Sequence, residues 1–301
     1  MLWIPGWDRR TVQIALLSLG LLAPSVQAHV GDQIFPLYEI LDEDLPDLHD
    51  ASLDDWGALF PQPQFTEADF SSLNIGDGTP IGAPDLAVKV YLGWNQAQNK
   101  ILGAIGREDD IYINTYRGGS DRTWIYDSIE FMVDGDHSGG CFAGSCLGES
   151  MIPYSDSLAI NFQAQWYSIL AQAPNNQLMS YGGLSPWVTQ PPYSDAGGFV
   201  EGGTPHLSVV EFMVTPFDQL YFDRPEESAP NALRAGRIIG FEIALPDFDA
   251  APQQYRGFHS LAGQPNTWRE ADNFVDGELL SAPRPTSKQI DSWGQIKATF
   301  R

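Results

Sequence analysis

The chain has 301 residues and a formal net charge of −23 at pH 7, with 39 Asp and Glu against 16 Lys and Arg. That acid excess repels phosphate backbones and anionic lipid surfaces, so it excludes nucleic acid as a partner and favours solubility and cation binding. With 29 Gly, 22 Pro and 12% aromatic residues, the composition points to short strands and turns rather than to helices.

The first segment reads as an export signal. Arg9 and Arg10 supply the positive region, and residues 14–22 form an apolar run. Val26-Gln27-Ala28 places small or short residues at the −3 and −1 positions of a signal-peptidase site. The run is too short to anchor the chain in a bilayer. Cleavage is expected after Ala28, with residues 1–28 as signal peptide. The product would be secreted, periplasmic or held at the cell surface, and would begin at His29. Residues 29–49 read as an acidic lead-in, and residues 50–301 as one domain.

Within that domain, residues 85–94 alternate apolar and polar side chains, residues 95–100 form a polar turn, and residues 101–105 return as the second strand of a hairpin. Further strands are expected at residues 128–133, 157–166, 206–214 and 237–245, with a closing strand at 292–300. Helical turns are expected near residues 217–220 and 229–235. The Gly-, Pro-, Ser- and Tyr-rich stretch at residues 182–204 reads as long loops. This pattern predicts an all-β protein: an antiparallel two-sheet β-sandwich, jelly-roll or immunoglobulin-like, with long loops. Cys141 and Cys146 are expected to form a short-loop disulfide after export.

Four segments, in the same order, resemble the family 9 carbohydrate-binding modules. Asp50-Ala51-Ser52-Leu53-Asp54-Asp55-Trp56 looks like the family's opening D-G-x-L-D-x-x-W strand, with Ala51 in place of glycine. Residues 124–134, from Trp124 through Asp127-Ser128-Ile129-Glu130 to Asp134, resemble W-x-x-D-S-V-E-x-F-I-D. Ile239-Gly240-Phe241-Glu242-Ile243 with Asp247 and Asp249 resembles I-G-F-x-I-x-x-x-D. Asn266-Thr267-Trp268-Arg269 with Phe274, Gly277 and Leu279 resembles S-W-x-x-x-x-x-F-G-x-L.

The resemblance implies a non-catalytic protein whose partner is a poly- or oligosaccharide. A sugar ring would lie between two indoles, Trp124 and Trp268, with Glu130 accepting from its hydroxyls and Arg269 and Asn161 as further polar contacts. The chemistry is sound, because the C–H face of a pyranose packs on an aromatic ring while its hydroxyls need polar partners at the rim. Asn161 and Gln163 are the polar groups available on the strand after the signature, and residues 139–154 lengthen the loop beside it.

Asp134-Gly135-Asp136-His137-Ser138 places oxygens at alternate positions in a glycine-bearing turn, so Asp134, Asp136 and Ser138 are candidate ligands for structural Ca²⁺. The resemblance implies structural calcium as well. Asp109-Asp110 and Asp247/Asp249 could supply a second site. No nucleophile elbow, zinc-protease motif or phosphate loop occurs. Two alternatives come from other classes. Sandwiches of this shape also bind haem in periplasmic electron transfer, with Met132, Met213 or His259 as candidate axial ligands. An amino-terminal His29 is also the residue type that builds a copper brace in polysaccharide-cleaving enzymes. It would need a second histidine from His137, His206 or His259, and a chance histidine at a processing site is the simpler reading.

Overall fold

The structure, a computed structural model, describes residues 29, 33–119, 122–142, 164–181, 186–221 and 224–282. In chain order the first elements are β1 (Ile34–Glu39), α1 (Asp54–Leu59), β2 (Phe65–Thr66), β3 (Ser71–Ser72), β4 (Leu86–Asn95) and β5 (Lys100–Asp109). Then come β6 (Ile129–Asp134), β7 (Gln165–Ile169), β8 (Met179–Tyr181), β9 (Ser194–Glu201) and β10 (His206–Val214). The last are β11 (Phe217–Gln219), β12 (Ala229–Pro230), β13 (Ile238–Asp247), β14 (Gly257–Ser260) and β15 (Val275–Leu280).

The β4–β5 hairpin forms where alternation places it. Val88, Val90, Leu92 and Trp94 are buried in the core while Lys89 is exposed. Asn95 Oδ1 accepts the Gln98 N–H at 2.6 Å, and Asn99 takes a left-handed φ of 58°, which asparagine tolerates. The main sheet runs β8-β7-β6-β13-β15-β1-β4-β5-β10-β9. Its halves pack face to face: Phe131 of β6 meets Phe212 of β10 with ring centroids 5.0 Å apart. The expected sandwich is present, and one strand joins its layers. β1 pairs in parallel with both β15 and β4, so the two faces belong to one continuous hydrogen-bonded path.

That strand corrects the reading of residues 29–49 as a lead-in. Leu37 is fully buried, and Trp94 Nε1 donates to its carbonyl at 3.1 Å and to that of Leu280 at 3.0 Å. Pro36 disguises β1 in the sequence, since proline lacks a ladder donor. It is tolerated because Pro36 lies where β1 is paired on one side only, with Glu278. Two other expectations change. The opening Asp50–Trp56 segment is not a strand. Ala51 has φ 59°, and α1 follows, with Asp54 and Asp55 in its first turn and the Trp56 indole buried, donating to Glu211 at 2.8 Å. Residues 217–220 and 229–235 are not helical turns, since β11 and β12 form a small two-stranded sheet there. Runs this short carry no decisive periodicity. Asn161, Cys146, the signal segment, the start of the 157–166 strand and the closing strand at 292–300 lie outside the described residues.

Candidate functional site

Strand β6 positions the site. Ile129, Phe131 and Val133 point into the sandwich core, and Glu130, Met132 and Asp134 emerge on the opposite face. That face is not left to water. Met132 and Ala244 are covered by Phe142, Phe258, Ala271 and Phe274, a second apolar layer outside the sandwich.

Beside this layer lies a cavity of about 360 Å³ lined by Trp124, Trp166, Trp268 and Tyr255, with Glu130, Ile75 and Phe258. Trp124 stands in the 3₁₀ turn Thr123–Ile125, half-buried, with the Arg122 guanidinium 5.5 Å from its ring centre. Trp268, also half-buried, meets Phe258 edge to face at 5.8 Å. The structure thus brings Trp124 and Glu130, from one segment, together with Trp268 from a distant one. Arg269 does not line the cavity. Its backbone carbonyl accepts the Phe142 N–H at 2.9 Å, and its Nε is 3.8 Å from Glu270. Sequence reasoning missed Trp166 and Tyr255. The alternation of β7 carried a signal for Trp166, because its neighbour Tyr167 faces the core.

Glu130 is 2% exposed, and its Oε2 has no hydrogen-bond partner among the described residues. Burial pushes its carboxyl up to about 8, repulsion from Glu242 adds to the rise, and the Trp166 indole opposes it. Glu242, fully buried on β13, accepts from the N–H groups of Leu261 (2.8 Å) and Ala262 (3.1 Å) and from the Ser260 hydroxyl (3.1 Å). Burial nevertheless carries it to about 8. Near pH 7 Glu130 is therefore mostly a neutral acid, able to donate as well as accept.

A second polar cluster lies where β5 and β13 end. Arg107, 2% exposed, reaches Asp109 at 2.5 Å, Asp127 at 2.9 Å and Asp247 at 3.1 Å. Burial raises the carboxyls of Asp109 and Asp127, and Arg107 pulls them back only in part. Asp85, Asp110 and Asp249 adjoin, with Arg256 Nε 3.0 Å from Asp249. Six Asp thus share two Arg. Asp85 Oδ2, Asp110 Oδ1, Asp247 Oδ2 and Asp249 Oδ1 are buried without hydrogen-bond partners among the described residues.

The Asp134–Ser138 turn is placed differently from a plain oxygen loop. Asp134 Oδ2 accepts the Gly139 N–H at 2.6 Å and lies 3.1 Å from His29 Nε2, while Asp136 Oδ1 accepts the Ser138 N–H at 3.1 Å. His137 turns to Asp276 at 2.8 Å. The haem candidates do not converge. Met132 and Met213 belong to separate apolar clusters, and His259 Nδ1 is 2.9 Å from the Ser72 hydroxyl.

No family model and no curated protein matches the sequence. Among solved structures, the fold is similar to a family 9 carbohydrate-binding module from Caldicellulosiruptor kristjanssonii in complex with cellotriose. That match has a TM-score of 0.50 and 12% identity, and covers 85% of this chain and 100% of the other. A structure of a family 9 module from the same organism in complex with glucose matches with a TM-score of 0.49 and 12% identity, over 84% of this chain and 99% of the other. At such identity the likeness is one of architecture, and the chain has a β-sandwich fold of the family 9 carbohydrate-binding module type.

Proposed function

We propose that this chain is a non-catalytic carbohydrate-binding protein that holds a sugar ring between the indoles of Trp124 and Trp268, with Glu130 beneath it. One observation carries this reading: these residues line a single cavity of about 360 Å³, within the size range of small-ligand sites. The aromatic walls suit the C–H face of a pyranose. Neutral Glu130, whose Oε2 has no hydrogen-bond partner among the described residues, and the neighbouring Trp166 indole N–H suit its hydroxyls. The cellotriose complex of a similar fold supports the same ligand class. Binding is favoured over hydrolysis because glycoside cleavage uses two facing carboxyls, and Glu130 is the one carboxyl among the described residues that line the cavity.

The same reading includes export after Ala28, a Cys141–Cys146 disulfide and structural Ca²⁺. For calcium, the Asp85, Asp109, Asp110, Asp247 and Asp249 group is the better-suited site. It offers oxygen donors only, and four of its carboxylate oxygens lack hydrogen-bond partners among the described residues, whereas the Asp134–Ser138 turn is bounded by histidine nitrogens. A calcium ion there would offset the charge that the two Arg leave unmatched.

The test is titration of the purified protein with cello-oligosaccharides and a glycan array, read by tryptophan fluorescence. A saturable shift that is lost in Trp268→Ala is expected. Absence of binding to any glycan would defeat the proposal.

A further inference from the structure

We propose that His29 Nδ1, His137 Nε2 and the Asp276 carboxylate bind a divalent transition-metal ion of the Zn²⁺ or Cu²⁺ class, with Asp134 as the outer partner that holds His29 in the ligating tautomer. The site is separate from the sugar cavity. Glu130 and Asp134 emerge on the same face of β6, but four residues of strand, about 13 Å, separate them.

The residues come from three distant parts of the chain and converge. His29 Nδ1 lies 3.2 Å and His137 Nε2 2.8 Å from the same oxygen, Asp276 Oδ1. The two rings stand edge to face with centroids 4.1 Å apart. In a tetrahedral site with metal–nitrogen bonds near 2.0–2.1 Å, neighbouring ligand atoms sit about 3.3 Å apart. The observed spacings are slightly tighter, as expected of donors that now hydrogen-bond to one another. Small outward movements would admit an ion.

The surroundings hold this arrangement. His29 is 4% exposed, Asp276 7% and Asp134 fully buried. The His29 ring lies against Gly240, where a Cβ would come within 2.4 Å of it, and stacks on Phe274 at 6.1 Å. Asp134 Oδ2 meets the other ring nitrogen, Nε2, at 3.1 Å. A carboxylate on the far nitrogen of a ligating histidine is the usual way to set its tautomer and raise its basicity. Independently, Asp134 Oδ1 is buried with no hydrogen-bond partner among the described residues, so the cluster holds more acceptor capacity than its own donors use.

The donor set chooses the ion. Two imidazoles and one carboxylate are too nitrogen-rich and too few for Ca²⁺, which gathers six to eight oxygens, and they suit Zn²⁺ or Cu²⁺. Cleavage after Ala28 would add a donor, because the freed α-amino group of His29 can close a six-membered chelate ring with Nδ1 of the same residue.

The test uses the full protein, stripped with EDTA and titrated separately with Zn²⁺ and Cu²⁺. One equivalent should bind. His137→Asn, chosen because asparagine tolerates the φ of 60° at this position, and Asp276→Asn should each weaken binding by about 100-fold or more. Asp134→Asn should weaken it by about 10–100-fold. Sugar binding should not change in any of the three. The Cu²⁺ electron paramagnetic resonance spectrum of the parent should show coupling to at least two nitrogens. No saturable equivalent, variant affinities within twofold of the parent, or fewer than two coupled nitrogens would each overturn the assignment. If a variant fails to fold, the parent spectrum decides.

Discussion

Two groups of buried carboxyls in this protein meet burial with different neighbours. Asp109, Asp127 and Asp247 each lie within 3.1 Å of the Arg107 guanidinium, a fixed cation. Glu130 and Glu242 sit on the neighbouring strands β6 and β13 with N–H and hydroxyl groups for company, and both rise to about 8. The first group is offset by countercharge only in part, since three carboxyls share one guanidinium. The second gives up its charge and becomes a pair of neutral hydrogen-bonding acids. The difference teaches that an overall charge of −23 describes the surface and little of the interior. A buried carboxyl serves electrostatics in one place and recognition in the other, and its neighbours decide which.

The largest effect should come from removing the fixed cation. Arg107→Ala leaves three buried carboxyls without their guanidinium and is expected to cost about 3–5 kcal/mol in urea unfolding at pH 7. A loss below about 1 kcal/mol would erase the contrast between the two groups. Calcium removal should come next. The melting temperature is expected to fall in EGTA and recover with Ca²⁺, a linkage worth about 2.7 kcal/mol when free calcium is 100 times its Kd. An unchanged melt, with no calcium by elemental analysis, would end the calcium proposal and leave Arg107 and Arg256 as the cations of that region.

In the cavity that Glu130 floors, Trp124→Ala and Trp268→Ala should each weaken sugar binding by about 2 kcal/mol, measured by calorimetric titration, and leave the melting temperature unchanged. Equal losses of stability would assign these indoles to packing instead. The remaining effect is a slope with pH rather than a change at one pH. Glu130 and Glu242 have folded values near 8 against an ordinary 4.5, so the folded state holds more protons than the unfolded between those limits. Their stabilisation is therefore complete below pH 4.5 and lost as pH rises through 8. One pH unit within this window changes stability by at most about 1.4 kcal/mol per group. Melting followed from pH 5.5 to 8.5 in excess calcium should fall, and Glu242→Gln should flatten the curve. A rise across the window would contradict the protonated assignment.

Local alternation determined much of this protein in the sequence itself. The β4–β5 hairpin, β6, β10 and β13 fall where period-two patterning puts them, because adjacent side chains of a strand must point to opposite faces. Trp124, Glu130 and Trp268 were legible through motifs that carry a family resemblance, and they meet at one cavity. Other features depended on contacts across the fold. Pro36 and the neighbouring acids hid β1, whose place between β15 and β4 is set by pairing with residues far along the chain. Both faces of β6 are buried, so alternation could show that they differ but not which is core and which is cavity. Trp166 and Tyr255 enter the cavity only through the packing of β7 and of the loop before β14. His29 and His137 were each visible alone. Their approach depends on Gly240 and Phe274, which hold the His29 ring beside β6, and a contact between distant segments leaves no periodic trace in the sequence.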